Sequence, residues 1–130
     1  MERIQPAGVH DPKTYAQCIR AGDHIYLSGQ VALDPAGNLV GAGDVAVQAD
    51  FIWRQIGTLL EAAGAGYHDL VKVTTYVTDM AARPLLMGIR DRYLGEHRVT
   101  STLVGISALA RPEFLIEIEA TAVTSPRVTR

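Results

Sequence analysis

The last apolar segment of the chain, Ile116–Val123, carries two glutamates within a strand pattern. It reads IEIEATAV, and strand alternation puts Glu117 and Glu119 on the same face, roughly 7 Å apart. Burying a charged carboxylate without a partner is expensive, so this face is unsuited to a dry core. The chain is therefore expected to fold around a sheet with one apolar face and one partly wet face.

The length and composition fit one globular domain. The chain has 130 residues, of which 48% are apolar and 20% are charged, and this is enough to bury a core. We expect a single domain over residues 1–123. Residues 124–130 are expected to form a flexible tail, because chain ends that are not tied down usually fray.

Two segments near the N-terminus predict a β-hairpin. Tyr15–Arg20 and His24–Val31 flank Ala21–Asp23, which reads as a short glycine-containing turn. Alternation assigns the side chains of the second strand to two faces: Tyr26, Ser28 and Gln30 on one, and Ile25, Leu27 and Val31 on the other. The cluster Asp34–Asn38 predicts a further turn.

Two amphipathic helices are predicted next. Eight apolar residues of the first fall at helical spacing: Val45, Ala49, Ile52, Trp53, Ile56, Leu59, Leu60 and Ala63. Asp44 is placed to begin this helix and Gly64 to end it. The second helix has its apolar stripe at Leu86, Ile89, Tyr93 and Leu94. Pro84 suits its first turn, and the helix should end near Gly95.

Three more strands complete the predicted fold: Val71–Asp79, Thr102–Leu109 and Phe114–Val123. In the first of them, one face is made of Val71, Val73, Thr75 and Val77 and the other of Lys72, Thr74, Tyr76 and Thr78. The order ββαβαββ predicts an α+β fold with both helices on one face of a mixed sheet. The other face, with Ser28 and Glu117 beside aliphatic groups, stays uncovered. We expect these faces to associate, which makes the protein a homo-oligomer.

The charge balance argues against several classes of partner. The formal net charge is −2 and no basic stripe is present, so nucleic-acid binding is not expected. No segment approaches the roughly 20 apolar residues of a membrane-spanning helix or has the pattern of a signal peptide, so no membrane association is expected. The single cysteine, Cys18, excludes an internal disulfide and makes a cytoplasmic setting the default.

Four stretches together resemble one protein family. They are SGQ at Ser28–Gln30, EAAG at Glu61–Gly64, the strand VKVTTYVTD and the closing IEIEATAV. Tyr15 also stands where the family has a tyrosine, and the order and spacing agree from Ile4 to Val123. The chain is therefore similar to the Rid family, the reactive intermediate deaminases or YjgF-like proteins.

This resemblance implies a fold and an activity. The fold would be chorismate-mutase-like, a homotrimer whose sheets line a central barrel and whose clefts lie between subunits. The activity would be hydrolysis of a 2-enamine or 2-imine to a 2-keto acid and ammonia. The resemblance implies no metal and no bound cofactor.

The resemblance also implies roles for individual residues. Glu117 would be the catalytic residue, facing the cleft and orienting the attacking water, with a pKa raised by partial burial. The substrate-binding residues would be Tyr15, Ser28, Gly29, Met87, Ser101, Thr102, Leu103 and Glu119. The alternative is structural: both glutamates would accept hydrogen bonds at the interface, and the Ser28 hydroxyl would be satisfied by a neighbour.

The chain departs from the family pattern where the substrate would be recognised. Ser101 stands in place of an arginine that binds the substrate carboxylate, and a hydroxyl cannot replace a guanidinium. Met87 and Leu103 stand where an asparagine and a cysteine are frequent. We therefore expect a larger or less acidic imine, enamine or carbonyl compound. Two interpretations of Arg98 stay open: a replacement that enters the space left at Ser101, or, as favoured, a solvated surface arginine. Arg111 is interpreted as a solvated surface arginine.

Two functions of different classes stay open. One is a trimeric imine or enamine hydrolase with Glu117 at its centre. The other is a non-catalytic trimer that binds small metabolites, or acts as a chaperone, through the same clefts. A ribonuclease is disfavoured by the acidic net charge. Cys18 is interpreted as a small core residue, and the four histidines lack the spacing of metal ligands, so no metal site is expected.

Overall fold

The computed structural model describes residues 1–124, so the predicted flexible tail lies, apart from Thr124, outside the described residues. The elements are β1 (Glu2–Ile4), β2 (Cys18–Ala21), β3 (His24–Gln30), α1 (Val45–Ala62), β4 (Leu70–Val77), α2 (Arg83–Leu94), β5 (Thr100–Gly105) and β6 (Ile116–Val123). Neither of these helices combines the length and the apolar content that crossing a bilayer would need.

The strands form one mixed sheet in the order β1-β2-β3-β6-β4-β5. Strands β4 and β5 run parallel, because α2 connects them, and the other neighbouring pairs are antiparallel. One apolar core joins both helices to one face of the sheet. The predicted α+β fold, with a mixed sheet and two helices on one face, is confirmed.

The first helix forms as its sequence predicts. Asp44 has an extended backbone, and its carboxylate accepts a hydrogen bond from the Val47 N–H at 3.1 Å, which satisfies one of the free donors of the first turn. The predicted stripe faces the core, with Trp53 almost fully buried. After Ala63 the chain turns at Gly64, whose φ of +82° is the left-handed conformation that glycine adopts without steric cost.

The last strand divides its side chains between the two sheet faces. Its buried residues are Ile116, Ile118, Ala120 and Ala122, and they face the helices. Its partly exposed residues are Glu117, Glu119, Thr121 and Val123, and they face away from the helices. Because β6 lies between β3 and β4, both glutamates are held near the middle of the uncovered face.

A β-bulge in β3 corrects the predicted face of Gln30. The pairing of β3 with β6 shifts register between Leu27 and Gln30, so Gln30 points into the interior, not to the face of Tyr26 and Ser28. It is fully buried and hydrogen-bonded to the side chains of Gln17 and Gln55. The pairing of β2 with β3 ends at Cys18 opposite Leu27, so the first predicted strand, Tyr15–Arg20, begins only at Cys18.

Other predicted strand boundaries differ for local reasons. A second register shift, between Leu70 and Lys72, turns Val71 to solvent although alternation assigns it to the face of Val73. Strand β5 stops at Gly105 because β4, its partner, stops at Val77, so the predicted end at Leu109 is wrong. Strand β6 starts at Ile116 and not at Phe114, which belongs to the preceding turn. Strand β1 was not predicted, since three residues are too few to show alternation.

Candidate functional site

The uncovered sheet face arranges the candidate residues in rows across the strands. Glu117 of β6 lies opposite Tyr76 of β4, and Glu119 lies opposite Thr74. Thr74 in turn pairs with Thr102 of β5, so Glu119 and Thr102 belong to the same row, two strands apart. The predicted substrate contacts Thr102 and Glu119 therefore share a face, and Glu117 lies one row further along it.

Glu119 is tied to a neighbouring strand. Its carboxylate accepts a hydrogen bond of 2.5 Å from the Tyr76 hydroxyl, and this bond is the main cause that raises the pKa of Tyr76. Glu119 also lines a depression of about 330 Å³ on the open face, together with Ser28, Lys72 and Thr74. The hydrogen bond supports the structural interpretation of Glu119.

Glu117 has a different environment. Its side chain is partly buried, and no hydrogen bond to its carboxylate is found within residues 1–124. Burial, followed by the nearby charge of Glu119, raises the pKa of Glu117, in the direction expected from the sequence. A carboxylate that is partly desolvated and not otherwise engaged can take up a proton from a bound water.

Gly29 lies directly against the Glu117 side chain. A Cβ atom at position 29 would come within 2.5 Å of Cδ and 2.7 Å of Oε2 of Glu117, which is closer than any unstrained contact. The bulge in β3 brings this backbone next to β6. A glycine is therefore required here for Glu117 to keep its position.

A second cavity, of about 240 Å³, extends from Glu117 toward the N-terminal loop and the loop before β6. Tyr15, which is 51% exposed, forms one wall of it. Two further groups that bear on its chemistry are the imidazole of His10 and the guanidinium of Arg111. Tyr15 and Glu117 thus line one cavity, and Gly29 lies against Glu117, so the structure brings these three candidates together.

The Ser28 hydroxyl is engaged with the backbone. It donates a hydrogen bond of 2.6 Å to the carbonyl of Ala16, and the Ser28 N–H donates to the carbonyl of Gln17. These bonds hold the segment before β2 against the bulge. They agree with the structural interpretation of Ser28, although its oxygen can still accept a hydrogen bond.

The remaining candidates lie elsewhere in the chain. Ser101 and Leu103 of β5 pair with residues of the helix-covered face, so they point away from the face of Glu117. Leu103 packs against the core. Met87 lies on α2, on the same side of the sheet as Ser101 and Leu103. Ser101 accepts a long hydrogen bond, 3.4 Å, from the Arg90 guanidinium. We call Ser101, Leu103 and Met87 the β5 group, and Tyr15, Gly29 and Glu117 the Glu117 group. Within one chain, these two groups do not form one site.

Several known proteins are similar to this chain along most of its length. The family model described as Endoribonuclease L-PSP matches residues 8–124. A RutC family protein of Pyrococcus horikoshii is 35% identical over 108 residues, which are 83% of this chain and 85% of that protein. The 2-iminobutanoate/2-iminopropanoate deaminase of Mus musculus is 32% identical over 112 residues, 86% of this chain and 82% of the mouse protein.

The crystal structure of RidA from an Antarctic Psychrobacter species superposes with a TM-score of 0.88 at 27% identity, and it covers 95% of this chain and 100% of that one. The chain belongs to the Rid family. The resemblance stated from SGQ and IEIEATAV is confirmed, and so is the chorismate-mutase-like fold that it implied. The family model and the Psychrobacter structure together cover every element that carries a candidate residue.

Other nucleophilic and metal-binding groups do not add to this Rid site. Cys18 is fully buried in the core, and burial raises the pKa of its thiol to about 11, so it is not a reactive thiolate. Among residues 1–124, no three histidine, cysteine, aspartate or glutamate side chains lie close enough together to hold a metal ion.

Three residues beside the candidates were not assigned to the site from the sequence. Tyr76, which binds Glu119, could not be found without the pairing of β4 with β6. Arg90, which contacts Ser101, lies on α2, and its approach to β5 could not be found without the fold either. Arg111 is different, because it precedes Glu117 by only six residues in the sequence, and this proximity was a usable signal. It is exposed, as expected for a surface arginine, yet it also lines the cavity of Glu117.

Replacing Gly29 with alanine is expected to displace the Glu117 carboxylate, because the new Cβ would overlap it. Movement toward solvent reduces its desolvation, so the pKa of Glu117 should fall toward the ordinary glutamate value. Carboxyl-carbon NMR titration of selectively labelled protein measures this shift. Gly88→Ala is the matched control, since no atom lies within 4 Å of a Cβ there. An unchanged Glu117 titration in Gly29→Ala would contradict the steric account.

Glu117→Gln is expected to stabilise the protein at neutral and alkaline pH. The folded-state pKa of Glu117 lies above its ordinary value of 4.5. The folded chain therefore binds more protons than the unfolded chain, and stability falls as pH rises through the raised pKa. The variant removes this loss, so its Tm should exceed that of the wild type at pH 8, and the difference should vanish below the ordinary glutamate pKa of 4.5. Exposed Glu96→Gln serves as the control, and an equal gain at both pH values would contradict the linkage.

Proposed function

We propose that the protein is a hydrolase that converts a reactive imine or enamine into a carbonyl product and ammonia. The observation that carries the proposal is the contrast between the two glutamates of β6. Glu119 is bonded to Tyr76, whereas Glu117 is partly buried, has a raised pKa and borders a cavity. The name of the mouse relative, a 2-iminobutanoate/2-iminopropanoate deaminase, supports this class of reaction.

The role proposed for Glu117 is general acid–base catalysis. Its carboxylate accepts a proton from water as the water oxygen bonds to the imine carbon, and the C=N electron pair moves to nitrogen, which takes up a proton. The C–N bond of the resulting tetrahedral aminoalcohol then breaks: the nitrogen keeps the electron pair of that bond, takes up a further proton and leaves as ammonia. The hydroxyl loses its proton to form the carbonyl. Water is the only co-reactant, and the carboxylate ends as it began.

The complete site is proposed to need two chains of a homotrimer. Within one chain, Glu117, Gly29 and Tyr15 belong to one group, whereas Ser101 and its neighbours belong to another on the edge strand β5. An edge strand and an uncovered sheet face are both surfaces on which a second copy can pack. Association would set the β5 group of one chain against the Glu117 group of the next, and backbone groups near Leu103 would then help hold the substrate.

Ser101 sets this protein apart from a standard 2-imino acid deaminase. Its hydroxyl carries no charge, and its contact is the guanidinium of Arg90. Recognition of a substrate therefore differs from the pattern of the family. The same feature favours the second candidate, a trimer that binds small metabolites in these clefts without turning them over. Ligand-dependent thermal stabilisation without release of ammonia would distinguish that function from a hydrolase.

Glu117→Ala is expected to lower the enzymatic release of ammonia at least about 100-fold, the usual contribution of general acid–base catalysis. The assay generates imines in situ with an amino-acid oxidase and follows ammonia and keto product above the spontaneous rate. Glu96→Ala, which removes an exposed carboxylate, is the control. Equal rates for wild type and Glu117→Ala would remove the mechanism.

Mixing two inactive variants tests whether the site is shared. Glu117→Ala damages one group and Ser101→Trp obstructs the other, so random mixed trimers should regain about a quarter of the wild-type rate, because each cleft draws one group from each neighbour. Light scattering should give three times the chain mass of 14.0 kDa.

A mixture of Glu117→Ala with Gly29→Val is the matched control, because both changes damage the same group and no cleft can be intact. Recovery in this control, or its absence in the first mixture, would contradict a shared site. A monomer in dilute solution would do the same.

A further inference from the structure

Arg111 lies in the loop between β5 and β6 and lines the cavity of Glu117. Its guanidinium carbon stands over the ring of Phe114, 5.4 Å from the ring centroid. Phe114 is itself buried, so the ring is a fixed platform. A guanidinium stacked on a rigid aromatic face keeps its N–H edges free to bind a planar anion.

The guanidinium of Arg111 is not committed to another group of the described chain. The ion pairs found among residues 1–124 involve other arginines, namely Arg3, Arg54, Arg90 and Arg92. Arg111 is thus a cation that shares one cavity with Glu117 and has no carboxylate partner in residues 1–124. A second negative charge entering this cavity would be repelled by Glu117 unless a cation stood nearby.

We propose that Arg111 binds the carboxylate of the ligand and is the residue that selects acidic ligands in this site. The proposal rests on the proposed site around Glu117. It differs from the expectation, drawn from Ser101, of a less acidic compound. The ligand would lie with its charged end at the loop and its reactive carbon toward Glu117, beside the wall formed by Tyr15. A cavity of about 240 Å³ suits a small acid.

Two other arginines are less suited to this role. Arg90 projects on the helix-covered side of β5, its Nε is buried, and its other nitrogens make long contacts to Ser101 and Asp91. Arg98 is exposed and borders a separate surface depression beside α2. Neither of them lines the cavity of Glu117. They are therefore useful comparisons for the same substitution.

The test measures binding of two probes of matched shape, pyruvate and its neutral amide pyruvamide, by calorimetry or ligand-observed NMR. The wild type should bind pyruvate at least about 10-fold more tightly, as expected when a charge-assisted pair is formed. Arg111→Gln should lose this preference, weakening pyruvate about 10- to 100-fold with little change for pyruvamide. Arg111→Lys should retain part of the preference, because it keeps the charge but not the bidentate geometry.

Arg98→Gln and Arg90→Gln are measured in parallel and should keep the preference for pyruvate. The proposal is overturned if the wild type does not distinguish the probes, if Arg111→Gln distinguishes them as the wild type does, or if Arg90→Gln or Arg98→Gln abolishes the distinction. Circular dichroism of Arg111→Gln checks that it is folded, and Arg111→Lys supplies a second reading. Selective pyruvate binding without imine turnover would uphold the role of Arg111 while rejecting the hydrolase.

Discussion

The site depends on the close approach of the Gly29 backbone to the Glu117 side chain. This approach exists because β3 bulges between Leu27 and Gln30. The bulge turns the Gln30 amide inward, where its nitrogen donates to Gln17 and its oxygen accepts from Gln55. A slip of the bulge would leave these buried amides without partners, at a cost of about 1–3 kcal/mol for each. The interior glutamines therefore hold the geometry of the site, and two of them, Gln17 and Gln55, also line the cavity of Glu117.

The two glutamates of β6 show how one strand produces two different carboxylates. Tyr76 lies opposite Glu117 in the strand register, yet its hydroxyl reaches along the sheet to Glu119. Partial burial, followed by the nearby charge of Glu119, raises the pKa of Glu117, which has no such bond in residues 1–124. The difference between them arises from a neighbouring strand and not from the IEIEATAV pattern itself.

This origin explains what could be predicted from the sequence and what could not. Both helices followed from local signals, such as the Asp44 cap and the φ that Gly64 can adopt. The strand face of Glu117 followed from alternation. The face of Gln30 did not, because a bulge is a property of pairing and leaves no period in the sequence. The grouping of candidates was hidden for a similar reason. The family motifs named Glu117 and Ser101 alike, whereas only the folded sheet assigns them to different groups.

The position of Arg111 has a consequence for how recognition can change in such a fold. Ser101 belongs to a strand ladder, where its side chain is fixed by pairing with β4. Arg111 belongs to a loop, and loops accept substitutions because their backbone is not part of a ladder. The sheet therefore does not need to change when the positively charged residue lies in the loop and not in the strand. The buried ring of Phe114 gives the loop arginine the rigidity that a strand would otherwise supply. On the proposal that Arg111 binds the anion, charge recognition and strand geometry are separable, because the room for the Glu117 side chain is left by Gly29 and not by Arg111.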